Sequence, residues 1–235
     1  MQQLTLFNKN TARTLNMRPN KRRKNARGAQ SAGTRWDLWT QETDMEKEMA
    51  LFFLDIRNFT PLVEKHQALD VIHIVKKLFS KFQNIIRVHR GQIIETSGDG
   101  FYAAFGFDRG AKEAVNASVQ AGMAILETLD NLNIQSFEKN IGQRIDVGIG
   151  IHVGKVATGN FHLGSKDHFV VMGYPVNVAS RLQSATKELN NNFIVSSAVF
   201  KMLKRPQQNN TAVKVNLKGV TRPCELHLIG KAYAA

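Results

Sequence analysis

Residues 49–54 form an apolar run, Met49-Ala50-Leu51-Phe52-Phe53-Leu54, that stops on a carboxylate, Asp55. A run of that length bounded so abruptly is a buried strand. A helical pattern follows, with Leu69, Val71, Ile72, Ile74, Val75, Leu78, Phe79, Phe82, Ile85 and Ile86 recurring at three- and four-residue intervals. Two short strands at 92–95 and 101–105 come next, joined by Thr96-Ser97-Gly98-Asp99-Gly100, in which glycines free to take positive φ surround an Asp. A second helix over 110–132 carries an apolar stripe at Val115, Val119, Leu126 and Leu129, and a near-alternating strand covers 145–151. Strand, helix, strand, strand, helix, strand is the order of the ferredoxin-like split βαβ core. This α+β class has an antiparallel central sheet with helices on one face. Strands near 155–159 and 168–171, a helix at 176–189, a strand at 193–195, a short helix at 198–203 and a strand pair at 213–217 and 225–229 extend it.

Composition narrows the setting. With 43% hydrophobic and 22% charged residues in 235, the chain has the makeup of one globular domain plus an appendage. No stretch approaches the ~20 apolar residues of a membrane span, and the N-terminus lacks the pattern of a secretory signal. The lone Cys224 excludes an intramolecular disulfide and a cysteine metal cluster and suits a reducing compartment. A cytoplasmic, soluble protein is expected. Of the net charge of +13, nine units come from Lys and Arg among the first 35 residues, which hold no acid. Residues 1–36 are therefore expected to form a basic, disordered leader, with the folded body over 37–235 and Trp36 and Trp39 packing its start. Such a leader suits nucleic acid, acidic lipid or an acidic partner. It lacks interleaved aromatics or a recognisable binding fold, so a nucleic-acid-binding function is not expected.

Four places could hold chemistry. A carboxylate ending a core strand needs a partner to stay ionised, and a bound cation is one; taken alone, such an Asp more often caps a helix. Asp99, at the tip of the middle hairpin, would stand beside Asp55 at one end of a ferredoxin-like sheet. Two adjacent carboxylates repel unless a divalent metal neutralises them. On the third helix Asn177 and Arg181, four apart, share a face; they are either an amide and a guanidinium able to orient a sugar and stabilise phosphoryl charge, or chance residues of an exposed helix. Lys218, in Leu217-Lys218-Gly219, could reach a terminal phosphate or simply be a solvated surface lysine.

Together these blocks resemble the catalytic domain of class III adenylate and guanylate cyclases over about residues 49–230. They are Leu54-Asp55-Ile56-Arg57-Asn58-Phe59-Thr60, Ser97-Gly98-Asp99-Gly100-Phe101, Val147-Gly148-Ile149-Gly150-Ile151-His152-Val153-Gly154, Gly173-Tyr174-Pro175-Val176-Asn177-Val178-Ala179-Ser180-Arg181 and Leu217-Lys218-Gly219. The resemblance implies a two-metal enzyme that converts a nucleoside triphosphate to its 3′,5′-cyclic monophosphate and pyrophosphate. Two divalent cations, Mg²⁺ or Mn²⁺, would be held by Asp55, Asp99 and the Ile56 carbonyl. Phe59 and Thr60 would bind phosphate through backbone N–H groups, Asn177 would orient the ribose, Arg181 would stabilise the transition state, and Lys218 would hold the terminal phosphate. In the family these groups come from two subunits, so a head-to-tail homodimer is implied. The filled metal and transition-state positions disfavour a catalytically silent relative.

Two departures bear on this. Asn58 stands where the family usually has Gly, and Asn tolerates the left-handed backbone region. The family's base-reading positions are Glu95 and Val170. Adenylate cyclases typically carry Lys and Asp or Thr there; Glu95 is similar to guanylate cyclases, and Val170 offers no side-chain hydrogen bond. A small domain with an atypical base pair also resembles the bacterial pyrimidine cyclases of antiviral signalling. UTP or CTP is thus the expected substrate, with ATP and then GTP as the alternatives.

Overall fold

The computed structural model describes residues 45–163, 166–205 and 211–233. The basic leader, Trp36 and Trp39 lie outside the described residues. At the centre is β1 (Met45–Ile56), paired antiparallel with β3 (Gly100–Phe105) on one side and with β4 (Val147–Leu163) on the other. β2 (Gly91–Ser97) lies outside β3. Beyond β4 come β6 (Phe193–Ser196), β8 (Cys224–Leu228) and β7 (Thr211–Val215), and β5 (Lys166–Met172) folds back on the far end of β4. Among the described residues only the β4–β6 pairing is parallel. Strand and hairpin chemistry therefore produce the expected α+β sheet, with two differences. The strands expected at 145–151 and 155–159 are one continuous β4, because Gly154 pairs with Met49 and the ladder on β1 runs unbroken from Ile56 to Met45. The strand expected at 213–217 is β7, which ends at Val215.

The two helices of the split βαβ core pack on one face of the sheet, as expected, and a later helix covers the other face. Alternate β1 residues Ala50, Phe52, Leu54 and Ile56 face one core, with Val147, Ile149 and Ile151 of β4. Onto it pack α2 (Ala68–Val88), through Val71, Ile74, Leu78, Phe82 and Ile86, and α3 (Ala111–Leu132). α3 runs on through a π-helical turn (Asn133–Phe137) into α4 (Glu138–Ile141). The buried Asn133 pins this crossover: its amide donates to the Ile145 carbonyl and its oxygen accepts from the Ile145 N–H, both at 2.8 Å. Among the described residues, no helix is long and apolar enough to cross a membrane.

The opposite face is covered by α5 (Tyr174–Glu188). Its route is set by glycine. Side chains on β4 alternate, so Gly148 and Gly150 share the face opposite Val147 and Ile149. A Cβ at Gly150 would lie 2.2 Å from the Gln183 backbone nitrogen and 2.8 Å from the Ala179 carbonyl oxygen, so the helix backbone rests on the strand itself. Val178, Ala179, Leu182, Ala185 and Thr186 are buried beneath it. His152, on the same face, pairs through Nδ1 with Ser196 Oγ at 2.8 Å, and burial holds its ring down at about 4, so it is neutral near pH 7. Gly150→Ala is expected to lift α5 off β4 and cost about 2 kcal/mol or more. Urea unfolding checks this, and an unchanged midpoint would mean that α5 does not rest on β4 as described.

Candidate active site

Asp55 follows Met49, Leu51 and Phe53 in the alternation and so lies on the α5 face of β1. In register it stands between two glycines, Gly100 on β3 and Gly148 on β4. The Ile56 N–H donates to the Asp99 carbonyl at 3.0 Å, tying the hairpin tip to the strand end. A Cβ at Gly100 would lie 2.8 Å from the Leu54 carbonyl oxygen and 3.1 Å from Asp55 Oδ1, so a larger residue would push the hairpin off the carboxylate. The expected juxtaposition of Asp55 and Asp99 is present. Burial pushes the Asp55 carboxyl up to about 6, and the charge of Asp99 acts in the same direction. Arg57, whose guanidinium pairs with Asp55, opposes both without cancelling them.

Two hollows meet at this pair. The smaller, about 480 Å³, is lined by Asn58, Phe59, Thr60 and Pro61 and by Asp146, Lys187 and Tyr233. Asn58 there has φ 53 and ψ 36, the left-handed conformation that Asn accommodates, and it starts α1 (Phe59–Lys65). The larger, about 550 Å³, is lined by Phe53, Glu95, Tyr102, Val176, Asn177 and Gln183 among others. Ile56 lines the smaller hollow, so two carboxylates and a main-chain carbonyl at one strand end offer an all-oxygen donor set. Such a set fits hard divalent cations, and two half-buried like charges call for one.

The remaining candidates divide. Asn177 shares the larger hollow with Asp55, Asp99 and Glu95. Arg181, exposed on α5, lines neither hollow of its own chain. Lys218 is exposed in the turn between β7 and β8, beside Gly219 at φ 78, and it too lines neither. Val170, on β5, pairs with Gly159 and also stays outside both. Tyr102 lies between Glu95 and the strand that carries Val170. It lies opposite Glu95 in the β2–β3 register, stacks on Phe53 at 5.0 Å and 10°, and donates its hydroxyl to the Val171 carbonyl at 3.2 Å. Burial and the Glu95 charge raise its phenol above the usual range.

The Adenylate and Guanylate cyclase catalytic domain family matches residues 41–230. The chain belongs to that family. An adenylate cyclase of Anabaena cylindrica is 29% identical to this cyclase domain over 161 residues, covering 68% of the chain and 32% of the relative. A receptor-type guanylate cyclase of Caenorhabditis elegans is 30% identical over 149 residues, covering 63% of the chain and 13% of the relative. The chain thus spans about a third or less of the length of these relatives. Among solved structures, the adenylyl cyclase CyaB from P. aeruginosa superposes with TM-score 0.71 and 25% identity, over 81% of this chain and 97% of that one. The guanylyl cyclase Cya2 gives TM-score 0.72, 24% identity and coverage of 81% and 95%, a likeness of fold.

Sequence pattern misses several residues that surround the two carboxylates in the cyclase domain. Asp146 reaches the smaller hollow through the start of β4, where its carbonyl accepts the Arg57 N–H at 2.7 Å. Tyr233 arrives from the far end of the chain, its backbone N–H held by Asn190 Oδ1 at 3.2 Å, and no local pattern signals that return. Lys187 had a usable signal, since it lies on the same helix as Asn177 and one turn past Gln183. Asp55→Asn and Asp99→Asn should each keep the fold, because volume is preserved, and each lose Mn²⁺ affinity by at least about tenfold. Calorimetric titration with Mn²⁺ and far-UV circular dichroism check both, and wild-type affinity in either variant removes that carboxylate from the metal set.

Proposed function

We propose that the domain cyclises a nucleoside triphosphate to its 3′,5′-cyclic monophosphate, releasing pyrophosphate, and that its preferred base is a pyrimidine, UTP or CTP. The observation that carries the activity is the Asp55–Asp99 pair standing where two hollows meet. One hollow suits a polyphosphate and the other a nucleoside. In the reaction the ribose 3′-oxygen bonds to the α-phosphorus as the bridge to the β-phosphate breaks. Two divalent cations, Mg²⁺ or Mn²⁺, held by Asp55, Asp99 and the Ile56 carbonyl, supply activation of the attacking oxygen and neutralise phosphate charge. Phe59 and Thr60 offer backbone N–H groups to phosphate at the smaller hollow, and Asn177 holds the ribose at the larger. Arg181 stabilises the charge that grows on the α-phosphate, and Lys218 holds the terminal phosphate.

Arg181 and Lys218 line neither hollow of their own chain, which supports their delivery by a second copy in a head-to-tail homodimer. Asp99→Ala and Arg181→Ala homodimers are then each inactive, and mixing the two proteins restores activity through the one site that keeps all its residues. Absence of recovery after confirmed subunit exchange would point to a site built within one chain.

The base reading rests on Glu95 and on the Tyr102 ring beside it in the larger hollow, since Val170 offers no hydrogen bond and lines neither hollow. Glu95 is an acceptor, so the base must bring an amino or imino donor. Adenine would offer its amino group but turn N1 toward the carboxylate without a proton between them. Tyr102 fills the wall with a ring fixed by Phe53 and the Val171 carbonyl, which favours a smaller base. Cytosine brings an amino group and uracil an N3–H. A pyrimidine product would serve as a signal in antiphage defence, the role that the resemblance to pyrimidine cyclases carries. Measured kcat/KM with Mn²⁺ for all four nucleoside triphosphates is expected to favour CTP or UTP, and Glu95→Lys to lower the preferred activity without altering the fold. Polar groups left unpaired by the wrong base can discriminate by as much as about 10⁴-fold. A preference for ATP of about tenfold or more overturns the pyrimidine reading alone; no product from any of the four overturns the cyclase reading.

A further inference from the structure

We infer that Lys187 is a phosphate-binding residue, contributed by the same chain as Asp55 and Asp99, that grips the polyphosphate end of the substrate. The inference rests on the cyclase reading and adds to it a cation in cis. It begins with the seating of α5. A Cβ at Gly148 would lie 2.3 Å from Thr186 Oγ1, so the last turn of the helix stands directly over Gly148. Gly148 is the register partner of Asp55. The next residue after Thr186 is Lys187, and it lines the smaller hollow together with Thr60, Asp99 and Tyr233.

The charges around that hollow leave Lys187 a distinct position. Three carboxylates (Asp55, Asp99 and Asp146) and two cations (Arg57 and Lys187) line it. Arg57 is committed: its guanidinium pairs with Asp55, and its side chain is 13% exposed. Lys187 is exposed, and its side chain has no ion pair or hydrogen bond among the described residues, although three acids line the same space. Once metal cations neutralise Asp55 and Asp99, the ligand that enters the hollow brings its own negative charge, and Lys187 is the ammonium free to meet it. A lysine on a flexible stem suits this task, because it binds phosphate as a mobile point charge without fixed fork geometry. Lys218, the lysine that the family resemblance assigns to the terminal phosphate, lines neither hollow of its own chain. In a homodimer the two lysines then approach the polyphosphate from opposite subunits.

The probe is inorganic tripolyphosphate with Mn²⁺, titrated calorimetrically into the 235-residue chain, which separates phosphate binding from base and ribose. Lys187→Ala is expected to weaken tripolyphosphate by about tenfold, the scale of one charge-assisted hydrogen bond. Lys187→Arg should recover most of that affinity, and the affinity for Mn²⁺ alone should stay within about twofold in both variants. A purely structural role for Lys187 would not be rescued by Arg while leaving Mn²⁺ binding intact. A loss below about threefold in Lys187→Ala, or a wild type that binds no tripolyphosphate, overturns the proposal. Turnover decides the cyclase reading separately: a chain that cyclises nucleotides with unchanged tripolyphosphate affinity in Lys187→Ala refutes the lysine's role alone. A chain with no turnover that still shows the Arg-rescued loss refutes the reaction and leaves the phosphate site standing.

Discussion

Asp55 lies on a central strand with a glycine on each side, Gly100 in β3 and Gly148 in β4. Each glycine keeps a different neighbour close. The first lets the hairpin carrying Asp99 fold against the carboxylate, and the second lets the last turn of α5 settle over it. A side chain at either place would meet an atom at 2.8 Å or less, so the spacing of everything around Asp55 depends on two absent Cβ atoms. The carboxylate is half-buried as a result, and burial and Asp99 together hold it up at about 6 despite the Arg57 ion pair. A strand end arranged this way is electrostatically incomplete, and an all-oxygen donor set is the form that a hard cation completes.

The same packing turns one helix into several tools. α5 lies on the bare face of β4, so its residues sort by angle around the helix axis. Ala179 and Leu182 are buried, Asn177 opens onto the larger hollow, Lys187 onto the smaller, and Arg181 points away from both. A helix held on side-chain knobs would sit farther from the strand, and residues at its end could not share a hollow with Asp99. The close backbone approach at Gly150 therefore links a stability feature to the geometry of the site.

Much of this is legible in the residues because the core elements obey local periodicities. The α2 positions that are buried, Val71, Ile74, Leu78, Phe82 and Ile86, are all among those that the helical pattern selects. The hairpin chemistry around Asp99 predicts the turn, and the element order predicts that β1 and β3 are neighbours. What local pattern does not carry is the side of the sheet on which a later helix lands. That side follows from two glycines on one face of β4, which look like interruptions of a strand until its alternation is traced. The continuity of β4 is hidden for a related reason, since the ladder on β1 holds the strand through Gly154. Asp146 and Tyr233 belong to the surroundings of Asp55 only by tertiary closure, and nothing in their own neighbourhoods marks them.

The two hollows differ in the groups that line them. Around the smaller one the groups are charges, and charges act over distance with little demand on shape. Around the larger one, Glu95 shares the lining with the amides of Asn177 and Gln183, and its neighbour Tyr102 is fixed twice, by the stack on Phe53 and by the hydrogen bond to the Val171 carbonyl. The wall beside Glu95 is therefore made by a residue of β3 that a main-chain carbonyl of β5 holds in place, and the side chain at 170 lies outside the hollow. Replacing Glu95 and Val170 with the pair that adenylate cyclases typically carry would alter the donors while leaving the Tyr102 ring where it is. The room beside Glu95 in the larger hollow is bounded by that ring and by the Phe53 that supports it, so its width follows from the packing of β1, β3 and β5 as well as from the side chain at 95.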